Sequence, residues 1–342
     1  MTDRTRMKEA NWASIGAIAA ALLLAGPAFA ADSDELRIVR PVDLSALPLL
    51  VAEHEKLIEK HADMNGVGKI KVRWLTPGKT AAAEMLAAGT IDFGAFEIGA
   101  FIGAWDQKTG TPQELRAVAA IEQMPYVLLT RNPAVHTILD FTDKDRIAVP
   151  APASTEPGVL LQMAAAQQWG ADQYKKLDSL IVTKPDAEAA TALVTATSDI
   201  DTHFSRLPYS DSELGDKEVH RVMDSVDIAG PHTTTLLAAA KEFHDANPRL
   251  CSGVIDALDE ADKLIRDNPG RAAEIFASAV TDAGVAVEDL ADMIGDPDLG
   301  YATAPVGVKR LVDFLQQTGR LKHKPASWKD LFFSEAQNLP GS

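Results

Sequence analysis

The chain has 342 residues, 46% of them hydrophobic and 24% charged, enough apolar material for two domains at about 150 residues each, or for one large one. Lys and Arg total 33 against 49 Asp and Glu, a formal charge of -16. That balance excludes a sequence-independent nucleic-acid binder and a polybasic membrane-surface protein, both of which need excess positive charge to meet phosphates. A small anionic ligand answers to local charge and is not excluded.

The first thirty residues differ from the rest. Arg4, Arg6 and Lys8 form a basic start, Ile15 to Ala25 is uncharged and apolar, and Ala28-Phe29-Ala30 ends in the small-x-small pattern that signal peptidase accepts. The apolar centre is short of the ~20 residues a membrane span needs, so Met1 to Ala30 reads as a cleaved secretory signal and the mature chain is expected in the periplasm, soluble. Cys251 is the one cysteine of the chain, which excludes an internal disulfide and every multi-Cys zinc or redox motif. Its apolar neighbours predict a small buried hydrophobe in a helix.

From Leu36 onward short β-rich runs alternate with helical patterns, which predicts an α/β protein with largely parallel sheets. Strands are predicted at 36–40, 70–75, 91–95, 115–122 and 126–131, with helices at 47–60 and 80–88, the latter closed by Gly89. Pro125 interrupts the last two strands and predicts a crossing between lobes. A second unit follows, with strands at 146–149, 180–183, 200–203 and 219–224 and helices at 158–168 and 187–195. A strand at 233–239 returns the chain to the first lobe. The remainder reads as helices at 248–266, 269–280, 287–293 and 306–319, two of them opened by Asn-Pro. The resulting division is 1–30 signal, 31–123 with 231–342 as one lobe, and 124–230 as the other, joined by two hinge crossings.

Gly78-Lys79-Thr80 follows a strand and opens a helix, but the phosphate-binding loop also requires Gly five residues before Gly78, where Arg73 stands. What remains is a backbone anion site at a helix start. Ser154 and Thr155 occupy the matching place in the second lobe, as helix caps or as ligand donors. Ligands of open α/β sheets lie beyond the carboxyl ends of the strands. That rule selects the loop from Val42 through Asp43 and Leu44 to Ser45, then Gly78 to Thr80, Glu97, Met124, Ser154, Thr155, His203 to Arg206, and Thr233. Arg206 suits a carboxylate or sulfonate, and Glu97 or Asp43 suits an ammonium. Trp105 is a possible ring contact near Glu97. The eight His residues are scattered, and no nucleophile elbow or H-x-x-x-H pair occurs, so neither a catalytic nor a metal site is expected and no cofactor is called for.

The segments "LLVAEHEKLIEKH", "AAEMLAAGTIDFGAF", "DFTDKDRIAVPAPASTEPGVLLQMAA", "DIDTHFSRLPYSDSEL", "ANPRLCSGVIDALDEADKLIRDNPGRAAEIFA" and "PASWKDLFF" together resemble the periplasmic solute-binding proteins of ABC importers of the nitrate, sulfonate and taurine type. The resemblance implies a two-lobed periplasmic-binding-protein fold of type II that closes over its ligand, no enzymatic activity, a monomer, and an ABC permease as partner. It maps ligand contacts to Asp43 to Ser45, Gly78 to Thr80, Glu97, Ser154, Thr155, His203 and Ser205. Glu97 and Arg206 depart from the small residues that relatives often carry there, which points from inorganic anions to a taurine- or sulfonate-like organic anion or zwitterion. A pyrimidine or other thiamine-precursor-like solute, and a sensing subunit for a membrane receptor, are the alternatives. The related enzyme branch relies on a Cys-rich motif that this chain lacks.

Overall fold

The computed structural model describes residues 35–78, 81–151, 155–196, 199–280 and 285–342. The expected signal segment, together with Lys79, Thr80 and Ser154, lies outside them. The first part of the chain runs β1 (Glu35–Val39), α1 (Leu47–His54), α2 (Leu57–Met64), β2 (Lys71–Leu75), α3 (Ala82–Ala87), β3 (Phe93–Glu97), α4 (Ile98–Lys108) and β4 (Leu115–Gln123). The middle runs β5 (Val127–Thr130), β6 (Ile147–Val149), α5 (Glu156–Trp169), β7 (Ile181–Thr183), α6 (Asp186–Thr195), β8 (Thr202–Ser205), α7 (Tyr209–Leu214), β9 (His220–Asp224) and α8 (Ser225–Ala229). The last part runs β10 (Thr235–Ala240), α9 (Lys241–Ala246), α10 (Pro248–Asp267), α11 (Pro269–Ala279), α12 (Val287–Ile294), β11 (Gly300–Tyr301), α13 (Val308–Gln317) and α14 (Ser334–Gln337).

These strands form two sheets, each flanked by helices. The first has the order β11-β4-β10-β3-β1-β2 and the second β7-β6-β8-β5-β9. β1 pairs parallel with β2 and β3, and β6 pairs parallel with β7 and β8. β10 runs antiparallel between β3 and β4, and β5 runs antiparallel between β8 and β9. The sheets are therefore mixed where the alternating pattern predicts largely parallel pairing. Of the reversed strands, β5 and β10 follow the two passages between sheets, at Met124–Tyr126 and Gly230–Thr234, and the short β11 pairs antiparallel with β4 at the sheet edge.

Strand alternation places the first sheet between two cores. Ile38, Leu237 and Ala239 face one cluster with α1, α10 and α11, while Val39, Leu236 and Ala238 face the other. α10 covers the first core because Leu250, Val254, Leu258, Ala261 and Ile265 recur at three- and four-residue spacing on one buried stripe. The second core runs on without a break into the other sheet through Tyr126, Leu128, Phe204 and Leu160, so the two lobes share apolar packing on the side of the crossings. The helix predicted over 47–60 is two helices, parted by Glu55 and a left-handed Lys56 with φ 55°, a region non-glycine residues adopt sparingly. Cys251 is fully buried and burial pushes its thiol pKa up.

The second crossing is braced by the end of the chain. Thr233 N donates to Val306 O at 2.8 Å and Val306 N donates to Thr233 Oγ1 at 3.0 Å. Gly307, with φ 65°, sits so close that a Cβ there would lie 2.5 Å from Pro231 O.

Candidate functional site

The carboxyl ends of β1, β3, β4, β6, β7 and β8 point toward the space between the sheets, and the charged residues at or just beyond them converge. Asp43 follows β1, Glu97 ends β3 and opens α4, and Glu122 is the penultimate residue of β4. From the other lobe, Asp186 opens α6 and Arg206 follows β8. Tyr126, in the first crossing, lies beneath them. This common edge is where chain reversal leaves side chains unpaired by the sheet, and it is the ligand edge of open α/β folds.

Arg206 is the centre. Its Nη2 lies 4.0 Å from Asp43 Oδ2 and 3.9 Å from Glu97 Oε1, and its Nε lies 3.8 Å from Asp186 Oδ2. The guanidinium also stands 5.8 Å from the centre of the Tyr126 ring, a cation–π distance. Its side chain is 14% exposed, so a residue of one lobe is enclosed by carboxylates of both. Burial works against its charge, but Tyr126, Asp43, Glu122 and Glu97 hold its pKa well above the ordinary range. The three ion-pair distances exceed hydrogen-bond length, so among the described residues no short bond claims the fork of donors.

Burial raises the Glu97 pKa despite Arg206, with Glu156, Asp186 and Asp43 adding to the rise. Glu122 is fully buried. It accepts from Thr234 Oγ1 at 2.8 Å and Thr235 Oγ1 at 2.9 Å, both on Oε2, while its Oε1 has no partner among the described residues. Burial is the main reason its pKa rises to about 7, against the opposing pull of Arg206 and the threonine hydroxyls.

Two buried histidines hold the acidic frame from behind. The ring of His203 faces Glu213 Oε1 at 2.7 Å and Asp186 Oδ1 at 3.5 Å, so it fixes the carboxylate that in turn faces Arg206. Burial lowers the His203 pKa, but Asp186 and Glu213 more than offset it and the net direction is up. His232, in the second crossing, meets Glu156 of α5 at 2.5 Å. Its pKa is likewise raised, burial being outweighed by the Glu156 carboxylate.

Of the residues expected at the site, the structure gathers Asp43, Glu97 and Arg206 into one cluster. Ser45 supports Asp43, donating its backbone N–H at 2.9 Å and its hydroxyl as well. Leu44 is a core side chain, and its carbonyl accepts from Tyr301 Oη at 3.1 Å. Met124 is also core, and lines a cavity of about 170 Å³ at the crossings with Pro125, Pro231 and His232. Gly78 is exposed, with open space where a Cβ would stand. Thr155 stands at the helix start but its hydroxyl donates back to Ala151 O at 2.5 Å and does not cap α5. His203 and Ser205 are fully buried, and Ser205 Oγ has no partner among the described residues. Trp105 is not a ring contact for a ligand. It is buried in the second core and meets the His323 ring edge-on at 6.4 Å.

Sequence reasoning missed Asp186, Glu122 and Tyr126. Glu122 carried a signal, a lone acid in the otherwise apolar end of "LRAVAAIEQ".

No protein-family model and no curated protein matches the sequence. Solved structures do match, and they carry the periplasmic-binding-protein fold. The chain is similar to the periplasmic aliphatic sulphonate binding protein SsuA from Escherichia coli, at 19% identity over 88% of this chain and 92% of that one, with a TM-score of 0.66. It is similar to the periplasmic nitrate-binding protein NrtA from Synechocystis PCC 6803, at 15% identity over 88% and 86% of the two chains, TM-score 0.63. A Candida albicans gene product described as having the generic periplasmic binding protein structural fold matches at 13% identity over 85% and 91%, TM-score 0.59. At these identities the likeness is one of fold. Among the described residues no helix is long and apolar enough to cross a membrane.

Proposed function

We propose that this chain is an exported, periplasmic solute-binding protein that captures a small polar organic anion or zwitterion between its lobes and delivers it to an ABC permease. It binds and releases without catalysis, as a monomer. The observation that carries the reading is Arg206, which reaches from the end of β8 to within 4.0 Å of Asp43 and Glu97 on the opposite lobe. A charged cluster shared by two lobes, at the strand ends, is where a solute gains contacts in the closed state that it lacks in the open one. Only such a differential drives closure.

Asp43, Glu97, Asp186 and Arg206 are the side chains proposed to touch the solute, with Ser45 and His203 holding two of them in place. Lys79, Thr80 and Ser154, which the resemblance stated above maps to ligand contacts, are proposed to complete the site. The similar structures of sulphonate- and nitrate-binding proteins support the class of function.

A thermal-shift screen of the purified protein against taurine, alkanesulfonates, nitrate, bicarbonate, amino acids, pyrimidines and aromatic acids tests the reading. A solute at a hundred times its dissociation constant adds about 2.7 kcal/mol of stability. One responding class supports solute capture. A flat response across all of them counts against it.

A further inference from the structure

The charges of the cleft are unequal. Asp43, Glu97 and Asp186 each face the one guanidinium at 3.8–4.0 Å, and Glu122 lies near enough for its charge to act on Arg206. Among the described residues, Arg206 is the one cation that all three carboxylates face, and Asp186 also meets the buried His203 ring at 3.5 Å. Nor are all the acceptors used. Glu97 accepts no side-chain hydrogen bond among the described residues. Glu122 is fully buried and its Oε1 lacks a hydrogen-bond partner among the described residues.

Ser205 Oγ is a second buried polar atom without a partner among the described residues. Side chains two apart on a strand share a face, so Ser205 projects with His203, whose ring meets Asp186. That places the hydroxyl on the face of β8 that meets Asp186, one of the three carboxylates.

A plain anion entering here would compete with three carboxylates for one guanidinium, in a partly buried space where like charges are poorly screened. A cation would find acceptors already placed on both lobes, with buried oxygen atoms still to satisfy. Resting on the solute-binding reading above, we infer that the solute carries a protonated or permanent nitrogen cation, that this group sits among Asp43, Glu97 and Asp186, and that recognition requires it. An anionic group at Arg206 is an accessory. The solute class is then an amine, net neutral or cationic, and simple oxyanions are rejected. This differs from what the names of the similar sulphonate- and nitrate-binding structures would carry over.

Three probes on one two-carbon frame separate the groups: taurine with ammonium and sulfonate, isethionate with hydroxyl and sulfonate, and ethanolamine with ammonium and hydroxyl. Titration calorimetry on the purified protein should find taurine or ethanolamine bound at least tenfold more tightly than isethionate. Glu97→Gln should weaken the amine by tenfold or more and should not weaken isethionate, which then meets one competing carboxylate fewer at Arg206. In parallel, the protein is exposed to a small-molecule extract, washed, and its released solute identified by mass spectrometry. A released solute bearing an amine, amidine or quaternary nitrogen supports the inference.

Isethionate or nitrate bound as tightly as the amines, or release of a solute with no nitrogen cation, overturns the charge inference and leaves solute binding standing. No binding of any probe and nothing released from the extract overturns the solute-binding reading, and this inference with it.

Discussion

Glu122→Gln isolates the effect of one buried carboxyl on stability. In the wild type the pKa of this group rises from 4.5 to about 7, chiefly through burial. The folded state therefore holds its proton more tightly than the unfolded chain. For an acid shifted upward the contribution is fully present below the unfolded value and is lost as pH rises through the folded one. Between pH 5 and pH 8 the loss works out at about 2.5 kcal/mol, from 1.36 kcal/mol per pKa unit. For a chain of this size that is a fall of roughly 4 °C in Tm attributable to this group. Glutamine keeps an oxygen for the Thr234 and Thr235 hydroxyls and cannot ionise. Urea unfolding of both proteins at pH 5, 6, 7 and 8 reads the difference directly. The stability of the variant relative to wild type should climb by about that amount across the series, whatever its offset at pH 5. Parallel curves would refute the reasoning, because they would mean the Glu122 charge costs the folded state nothing.

The buried histidines have the opposite consequence when removed. His203→Phe leaves Glu213, fully buried, without its partner, and chemical denaturation should show a loss of about 3–5 kcal/mol; a loss under about 1 kcal/mol contradicts the pairing. His203 has a raised pKa, so its contribution is complete below the ordinary histidine value and fades as pH rises through the folded one. A His203→Gln variant should accordingly lose least relative to wild type at the alkaline end of a pH series of unfolding curves. Gly307→Ala puts a Cβ 2.5 Å from Pro231 O at a backbone φ of 65°, and should lower stability by more than about 1 kcal/mol, measured by Tm; an unchanged Tm would show that the brace on the second crossing yields freely. The Cys251 thiol, fully buried with its pKa pushed up, should react with a thiol reagent only at the rate of unfolding, and immediate labelling of the native protein would place it at the surface instead.

Most of the fold is legible because burial is one-sided. α10 shows its stripe from Leu250 to Ile265, and β10 alternates Leu236 and Ala238 against Leu237 and Ala239, one pair for each core. α4 escapes sequence reading for the opposite reason. "IGAFIGAWDQK" begins directly after β3 and is apolar on most sides, so it has no polar face whose period would mark a helix. Its Trp105, near Glu97 in sequence, then turns into the core. The mixed pairing is hidden for a different reason: strand direction follows from where the chain crosses between lobes, and Pro125 marks one crossing without stating which way the next strand runs.

The site was readable to the extent that its charges sit at strand ends. Asp43, Glu97 and Arg206 do, and the strand-end rule finds them. Asp186 reads as an ordinary acid in the first turn of α6, where it suits the helix dipole, and only the distance to Arg206 gives it another task. Glu122 belongs to the other sheet from Arg206 and is separated from it in sequence by four of the five strands of the second sheet. What folding adds is therefore the ratio of charges. A single arginine beside one acid in a sequence reads as a balanced pair, whereas the folded chain sets it among Asp43, Glu97 and Asp186 at almost equal distance. None of the three pairs is short enough to be a settled salt bridge. An arrangement so divided gains little from any one pair and leaves negative charge over, and the species that would relieve it is a cation brought from outside.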